Sequence, residues 1–205
     1  MSNKLVIGLG NPGPKYEHTW HNLGFRVVRE LSSKLKCSFK SRKDALAAQA
    51  TARGRKITLL QPQSYMNLSG IPAARWAKKL KIEYDDILVI LDDHDLPSGL
   101  LRIRESGGDG GHRGLGSILD VFGDNVPRLR IGIRDEEIDP ESGGYADLAG
   151  RVLSTLDPRE ELHVQHIVAL ACDAALDWIN NGISSAMNRY NNKRISPSDL
   201  RNSDG

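Results

Sequence analysis

The stretch that decides the fold is Ile87–Leu91 (ILVIL), which is followed at once by the polar run Asp92–Asp95 (DDHD). The first run is short, wholly apolar and rich in β-branched residues, which is typical of a strand buried on both faces. Parallel sheets bury their central strands in this way because helices cover both faces. The sequence therefore predicts a parallel sheet with a helical layer on each side.

The rest of the chain alternates between strand and helix patterns around this stretch. Three further strands are predicted, over Lys4–Leu9, Lys56–Gln61 and Leu129–Ile133. Three helices are predicted, one from an N-cap at Asn22 through Leu35, one over Gly70–Leu80, and one from the capping pattern at Asp157 and Glu160 to Asn181. Such alternation predicts an α/β fold, a single-domain three-layer α/β/α sandwich around a mixed, mostly parallel twisted sheet.

Length and composition are consistent with one domain. The chain has 205 residues, of which 39% are apolar, enough for one buried core. We assign residues 1–190 to this domain, and we interpret the polar, aperiodic residues 191–205 as a flexible C-terminal tail. We expect a monomer, because the net charge of +2 is near neutral and the sequence shows no obvious partner helix.

The sequence carries no pattern for a membrane span, a disulfide framework or a metal site. The apolar run near Met1 is far too short to span a bilayer and lacks the layout of a signal peptide, so we expect a cytoplasmic location. Cys37 and Cys172 lie far apart and lack the spacing of metal ligands. We therefore expect a protein without a metal or another cofactor.

Polar side chains follow three of the predicted strands at the point where each strand ends. Asn11 and His21 come after the first strand, Asn67 after the second, and Asp92 after the third. Ligands of open α/β sheets bind beyond the carboxyl ends of the strands. We therefore expect these four side chains to converge on one rim.

This combination of residues suits attack by water on an ester. His21 directly precedes a predicted helix, whose positive end should keep the imidazole neutral, as a general base requires. Asp92 can hold one ring nitrogen and stabilise the imidazolium that forms, while Asn11 and Asn67 can orient a carbonyl or stabilise an oxyanion. Taken one at a time, the same residues are also typical of a helix cap, of turns and of solvated loop acids.

Arginines gather around a glycine-rich segment, Gly107–Gly114. They are Arg102, Arg104, Arg113, Arg128 and Arg130. Guanidinium groups beside a deformable loop offer a surface suited to phosphate contacts, and the loop could gate a cleft. The alternative interpretation is that the arginines solubilise strand faces and the glycines form a connector.

Two other classes of site are disfavoured. Gly8–Gly13 satisfies the G-x-G-x-x-G pattern of dinucleotide-binding enzymes, but the next predicted strand ends in Gln61 and Pro62 instead of the acid that grips the ribose. The acids and histidine of Asp92–Asp95 suggest a metal hydrolase, but adjacent residues of an extended chain point to opposite faces and cannot all bind one ion.

Five segments of the chain form a more specific set. They are Gly8–Gly13 with Tyr16, Thr19–Phe25, Tyr65–Gly70, Asp92–Pro97 with Gly99, and Gly110–Leu115. In this order they resemble the motifs of the bacterial peptidyl-tRNA hydrolase family, and the resemblance runs from about residue 4 to residue 190. It implies a metal-independent enzyme that hydrolyses the ester between a stalled peptide and its tRNA, recycling both for translation.

The resemblance also implies roles for individual residues. His21 is the proton acceptor, Asp92 supports it, and Asn11 helps to discriminate peptidyl-tRNA from aminoacyl-tRNA. Substrate contacts are implied for Tyr16, Tyr65 and Asn67 at the acceptor end of the tRNA, for Met66 and His112 along the same cleft, and for Arg104 and Arg130 as a clamp on the 5′-phosphate.

Two positions depart from the family's pattern. Trp20 stands where the family usually has Arg, and Arg113 stands where it usually has Asn. By the resemblance, that Asn orients the tRNA end near the ester, whereas an Arg brings a fixed charge and five donors that can engage a phosphate or the terminal ribose. The alternative to an active enzyme is a catalytically weak or inactive relative that binds RNA.

Overall fold

A seven-stranded mixed sheet forms the middle layer of the protein, in a computed structural model that describes residues 2–134 and 148–196. The strands in those ranges are β1 (Lys4–Gly8), β2 (Lys40–Ser41), β3 (Ala45–Ala52), β4 (Arg55–Pro62), β5 (Ile87–Pro97), β6 (Leu101–Arg104) and β7 (Arg128–Arg134). The α-helices in the same ranges are α1 (Leu23–Lys34), α2 (Gly70–Leu80), α3 (Arg113–Phe122), α4 (Leu148–Leu153), α5 (Pro158–Asn181) and α6 (Ile183–Tyr190).

The centre of the sheet is parallel and its edges are antiparallel. The strand order is β2-β3-β4-β1-β5-β7-β6. β1 runs parallel to β4 and β5, and β5 also runs parallel to β7. β3 pairs antiparallel with β2 and β4, and β6 pairs antiparallel with β7. The predicted α/β fold is confirmed, and the four parallel strands bring their carboxyl ends to one edge of the sheet.

Two helical layers bury the two faces of the sheet. On one face, α1 and α5 share an apolar core with Val6 and Ile90. On the other face, α2 and α3 share a second core with Leu5 and Ile7. Successive residues of β1 therefore point into opposite cores, as a strand buried on both faces requires.

The start of α1 lies very close to the sheet. A Cβ atom on Gly8 would lie 2.2 Å from the carbonyl oxygen of Gly24, and a Cβ atom on Gly24 would lie 2.3 Å from the carbonyl oxygen of Ile90. Backbone atoms occupy the space that any larger side chain would need, so both positions require glycine. This close packing brings the residues just before α1 next to the carboxyl end of β5.

The two predicted helix caps have different outcomes. At the start of α5, the Asp157 side chain accepts hydrogen bonds from the backbone N–H groups of Arg159 and Glu160, and the Glu160 carboxylate accepts from the N–H of Asp157, so the predicted capping box is confirmed. At the start of α1, Asn22 occupies the predicted N-cap position, but its side chain bonds to Asn11 and does not cap the helix.

The chain after α6 runs along the outer edge of β6. The backbone N–H of Leu101 donates to the carbonyl of Lys193 over 2.9 Å, and the N–H of Ile103 donates to Oδ1 of Asn191 over 2.6 Å. The first part of the predicted tail, up to residue 196, therefore covers the edge of the sheet, while residues 197–205 lie outside the described residues.

Although α5 has 24 residues, no helix in the described ranges is long and apolar enough to cross a membrane.

Candidate active site

His21 and Asp92 meet at the carboxyl edge of the sheet. His21 lies in a short 3-10 helix, Trp20–Asn22, that leads into α1, and Asp92 lies on β5 directly after the apolar run. Nδ1 of His21 is 3.0 Å and 2.9 Å from the two carboxylate oxygens of Asp92. Because Nδ1–H donates to the carboxylate, the lone pair that can accept a proton is on Nε2.

A second histidine binds the same carboxylate. Nδ1 of His112 accepts hydrogen bonds from the backbone N–H groups of Gly114 and Leu115, each over 3.1 Å. The ring proton of a neutral His112 is therefore on Nε2, which lies 3.1 Å from Oδ1 of Asp92. Asp92 therefore accepts hydrogen bonds from both imidazoles, whose ring centroids lie 5.0 Å apart. The resemblance placed His112 in the cleft without this bond.

The charges of this cluster reinforce each other. Asp92 is 3% exposed, and burial acts to raise its pKa, but the two histidines outweigh burial and hold the pKa of the carboxyl far below its usual range. Burial likewise acts to lower the pKa of His21, but Asp92 outweighs it and the pKa lies above its ordinary value. Arg113 opposes this rise by repulsion. Asp92 therefore shifts the pKa of His21 in the direction opposite to the effect expected of the helix end, and makes the ring a stronger base.

The three residues His21, Asp92 and His112 are also close enough to suggest a metal site, with candidate ligand atoms within 4.8 Å of one another. A metal would need the Nε2 lone pair of His112, since Nδ1 already accepts two backbone N–H groups. Nε2 carries the proton in that tautomer, so it donates to a carboxylate and does not ligate an ion. The donor set fits a hydrogen-bonded cluster better than a metal centre.

Asn11 is held from three directions beside this cluster. Its backbone N–H donates to Oδ1 of Asn22 over 2.8 Å, and its carbonyl accepts from Nδ2 of Asn22 over 3.0 Å. Its own Oδ1 accepts from the backbone N–H of Met66 over 3.0 Å. The side chain therefore presents its Nδ2 amide as a fixed, uncharged donor. The role of Asn22 in orienting Asn11 was missed, because an Asn before a helix is more typical of an N-cap.

Met66, in the loop after β4, lies beside His112 of this cluster. It is 5% exposed, and a Cβ atom on Gly114 would lie 2.3 Å from its sulfur and 3.0 Å from Cε1 of His112. Its neighbours Tyr65 and Asn67 are exposed, Tyr65 to 66%. The structure therefore brings Met66 to His112 and leaves Tyr65 and Asn67 facing solvent, where a large ligand can reach them.

Tyr16, from the loop after β1, shares a surface with Tyr65. The Lys15 ammonium lies 4.6 Å from the centre of the Tyr16 ring. The pKa of this ammonium is raised, mainly by a side-chain hydrogen bond to Tyr16 and to a smaller degree by the nearby Tyr65 phenol, whose ionised form would attract it. Both phenols are thus close to one cation at the surface.

The predicted arginine surface lies on β6 and β7. In the register of these strands, Arg102 lies opposite Arg130, and Arg104 lies opposite Arg128. Directly opposed residues project from the same face, and so do residues two apart along a strand. All four side chains therefore share one face of the sheet beside the glycine-rich segment.

The arginines differ in what they can offer a ligand. Arg128 is 1% exposed and donates to the carbonyls of Val126, Asp124 and Gly107, so it supports the loop, and its assignment to the phosphate surface is wrong. Arg130 is half-buried and forms an ion pair with Asp93. The remaining arginines are accessible: Arg102 is half-buried, whereas Arg104 and Arg113 are exposed, Arg113 in the first turn of α3.

The site defines a hydrolase for an anionic substrate. A histidine base lies against a buried carboxylate, a fixed amide donor lies beside it, and accessible arginines lie on the neighbouring strands and on α3. A model of the peptidyl-tRNA hydrolase family matches residues 5–198. The chain belongs to the peptidyl-tRNA hydrolase family.

Individual relatives agree with this assignment. The peptidyl-tRNA hydrolase of Fervidobacterium nodosum is 43% identical over 194 residues, which cover 94% of this chain and 98% of that protein. The peptidyl-tRNA hydrolase of Chlorobaculum parvum is 40% identical over 190 residues, which cover 92% and 97%. The crystal structure of peptidyl-tRNA hydrolase from Acinetobacter baumannii matches with a TM-score of 0.84 at 30% identity and covers 94% of this chain and 96% of that chain.

Proposed function

We propose that this protein hydrolyses the ester bond between peptide and tRNA in peptidyl-tRNA, yielding an N-substituted amino acid or peptide and tRNA. The observation that carries the proposal is the pairing of His21 with Asp92 through Nδ1, at 2.9 to 3.0 Å, which leaves Nε2 as the proton acceptor. Membership of the family supplies the substrate class.

The residues of the cluster divide the reaction between them. Nε2 of His21 takes a proton from water while the water oxygen attacks the ester carbonyl, and Asp92 stabilises the imidazolium that forms. Nδ2 of Asn11 donates to the substrate near the oxygen that becomes negative. When the ester bond breaks, His21 returns the proton to the ribose oxygen that leaves with the tRNA. One water is consumed, and a carboxylic acid and a hydroxyl are formed.

The residues around the cluster bind the tRNA portion of the substrate. Tyr16, Tyr65 and Asn67 contact the acceptor end, since all three are at least partly accessible and lie in loops at the edge of the sheet. Arg104 and Arg130 clamp the 5′-phosphate on the face of β6 and β7. Asp93 neutralises part of the charge of Arg130, so the exposed Arg104 makes the larger electrostatic contribution.

We further propose that the protein acts as a monomer in the cytoplasm, where ribosomes form its substrate. The catalytic cluster and the arginine face are both built from a single chain, so the reaction needs no second copy. Light scattering of the purified protein during turnover tests this: a mass near 22.6 kDa supports a monomer, and a stable dimer contradicts it.

The direct test is release of labelled N-acetyl-amino acid from an N-acetyl-aminoacyl-tRNA by the purified protein, with and without a metal chelator. We expect turnover that the chelator leaves unchanged. If the protein binds this tRNA but leaves the ester intact, the hydrolase proposal is wrong and the RNA-binding alternative stands. A loss of turnover in chelator that added metal restores would contradict the metal-independent mechanism.

A further inference from the structure

A cavity opens beside Asn11, on the side of α1. Its volume is about 230 Å³, and it lies between the loop after β1, the exposed side of α1, and the ends of β3 and β4. At about 30 Å³ per water molecule, it has room for roughly eight waters, or for one large side chain. Of its lining residues, Asn11 and Asn22 have roles assigned above, and neither of those roles fills the cavity.

The lining of the cavity is apolar at the base and polar at the mouth. Phe25 of α1, which is 3% exposed, and Leu46 of β3 contribute apolar surface. Gln63 follows β4 at the rim, and Glu17 and Arg29 form an ion pair there at 2.5 Å. Such a lining favours an apolar group that enters from water and leaves its polar backbone at the mouth.

The order of strands places this cavity across the catalytic cluster from Arg130. Along the carboxyl edge, β4 is followed by β1, β5 and β7, so Gln63, Asn11, Asp92 and Arg130 lie in that order across the sheet. A substrate with its tRNA phosphate at Arg130 and its ester beside Asp92 continues toward Asn11 and β4. The acceptor end is assigned to the accessible side chains of Tyr16, Tyr65 and Asn67, so the group left to enter the cavity between these loops is the peptide.

Asn11 and Asn22 connect the cavity to the cluster. Both residues line the cavity, Asn22 directly follows His21, and the two are joined by the two hydrogen bonds described above. An extended peptide rises about 3.3 Å per residue, so the penultimate residue is the first whose side chain is displaced from the ester along the direction of Asn11.

We propose that this cavity is a specificity subsite that receives the side chain of the penultimate residue of the peptide and prefers an apolar side chain. The proposal rests on the proposed function. The apolar base supplies transfer free energy for such a side chain, whereas glycine leaves the cavity to water.

The test compares two substrates on one tRNA, acetyl-Phe-Ala-tRNA and acetyl-Gly-Ala-tRNA. We expect kcat/KM to be about tenfold higher for the Phe substrate, which is modest for an apolar pocket because the mouth is open to water. Leu46→Trp fills the cavity from β3 and should remove this preference while leaving the Gly substrate unchanged. Ala50→Trp is the matched control and should keep the preference, because Ala50 lies four residues further along the same face of β3 and does not line the cavity.

A second variant keeps the subsite testable if Leu46→Trp does not fold. Gln63→Trp occludes the mouth from an exposed position and should likewise remove the preference. Equal rates for the two substrates on the wild type would overturn the subsite while leaving the hydrolase intact. An equal rise in KM for both substrates in these variants would assign the cavity to the end of the tRNA instead. If neither substrate is cleaved, it is the proposed function that fails.

Discussion

Replacing Asp92 with Asn probes the catalytic cluster at its centre. His112 must donate through Nε2, because Nδ1 accepts from two backbone N–H groups, so the Oδ1 atom of an Asn at this position would be taken by His112. The Nδ2 amide would then face His21 and force its Nδ1 to accept. The proton of the His21 ring would move to Nε2, the nitrogen that has to take a proton from water.

The expected loss follows from this change of tautomer. General-base catalysis contributes about 10²- to 10⁴-fold, so kcat should fall by that factor, equivalent to about 2.7 to 5.5 kcal/mol of barrier. KM should change little, because Asp92 is buried and does not face the tRNA. Single-turnover release from N-acetyl-aminoacyl-tRNA measures the rate, and the low-pH limb of kcat/KM reports the pKa of His21, which should fall once the carboxylate is gone.

The control for this variant is another buried carboxylate. Asp177 of α5 is 6% exposed and accepts from Asn181, Ser185 and Arg189, far from the cluster in the fold. Asp177→Asn should lower the melting temperature and keep kcat. An Asp92→Asn protein that is folded, retains more than a third of the wild-type kcat and shows an unshifted low-pH limb would refute the proposed role of the carboxylate.

Three further predictions concern binding and stability. Arg104→Ala should raise KM with little change in kcat and reduce the salt slope of log Kd for tRNA by about one, and an unchanged slope would remove Arg104 from the phosphate surface. Arg113→Asn should raise KM roughly fivefold, equivalent to about 1 kcal/mol. It should also move the low-pH limb of kcat/KM to higher pH, because His21 loses a repulsive charge. A marked gain in kcat would instead show that Arg113 impairs the enzyme. The lowered pKa of Asp92 stabilises the fold above the ordinary Asp pKa of about 3.9, and this stability is lost as the pH falls toward the folded value. The difference in free energy of unfolding between wild type and Asp92→Asn should therefore shrink from pH 5 to pH 2 in urea titrations, and a constant difference would contradict the linkage.

The strongest patterns in the sequence correspond to the central strands. Ile87–Leu91 and Lys4–Leu9 are recognisable because both faces of each strand are buried, so nearly every residue is apolar. β3 was missed because its sequence, ALAAQATA, has little strand propensity. It forms a strand because the turn at Arg53 and Gly54, both with positive φ, folds it back against β4 as a hairpin.

The candidate site was predictable in its members and less so in its contacts. Loops at one edge of a parallel sheet brought His21, Asn11 and Asp92 together, as the chain order indicates. The hydrogen bond from His112 to Asp92 depends on the first turn of α3. The sequence does not predict this helix, because a run of glycines precedes it. Arg128 could not be told from its neighbours, because burial beneath the loop is a property of the folded chain.

The central claim is that His21 activates water for cleavage of the ester. The most direct test measures, for His21→Ala, both single-turnover release from N-acetyl-aminoacyl-tRNA and affinity for the same tRNA. His166→Ala, an exposed histidine on α5, serves as the control and should behave as wild type. We predict that His21→Ala loses about 10²- to 10⁴-fold in rate and keeps its tRNA affinity. Preserved turnover with a large loss of affinity would contradict the account and make His21 a binding residue.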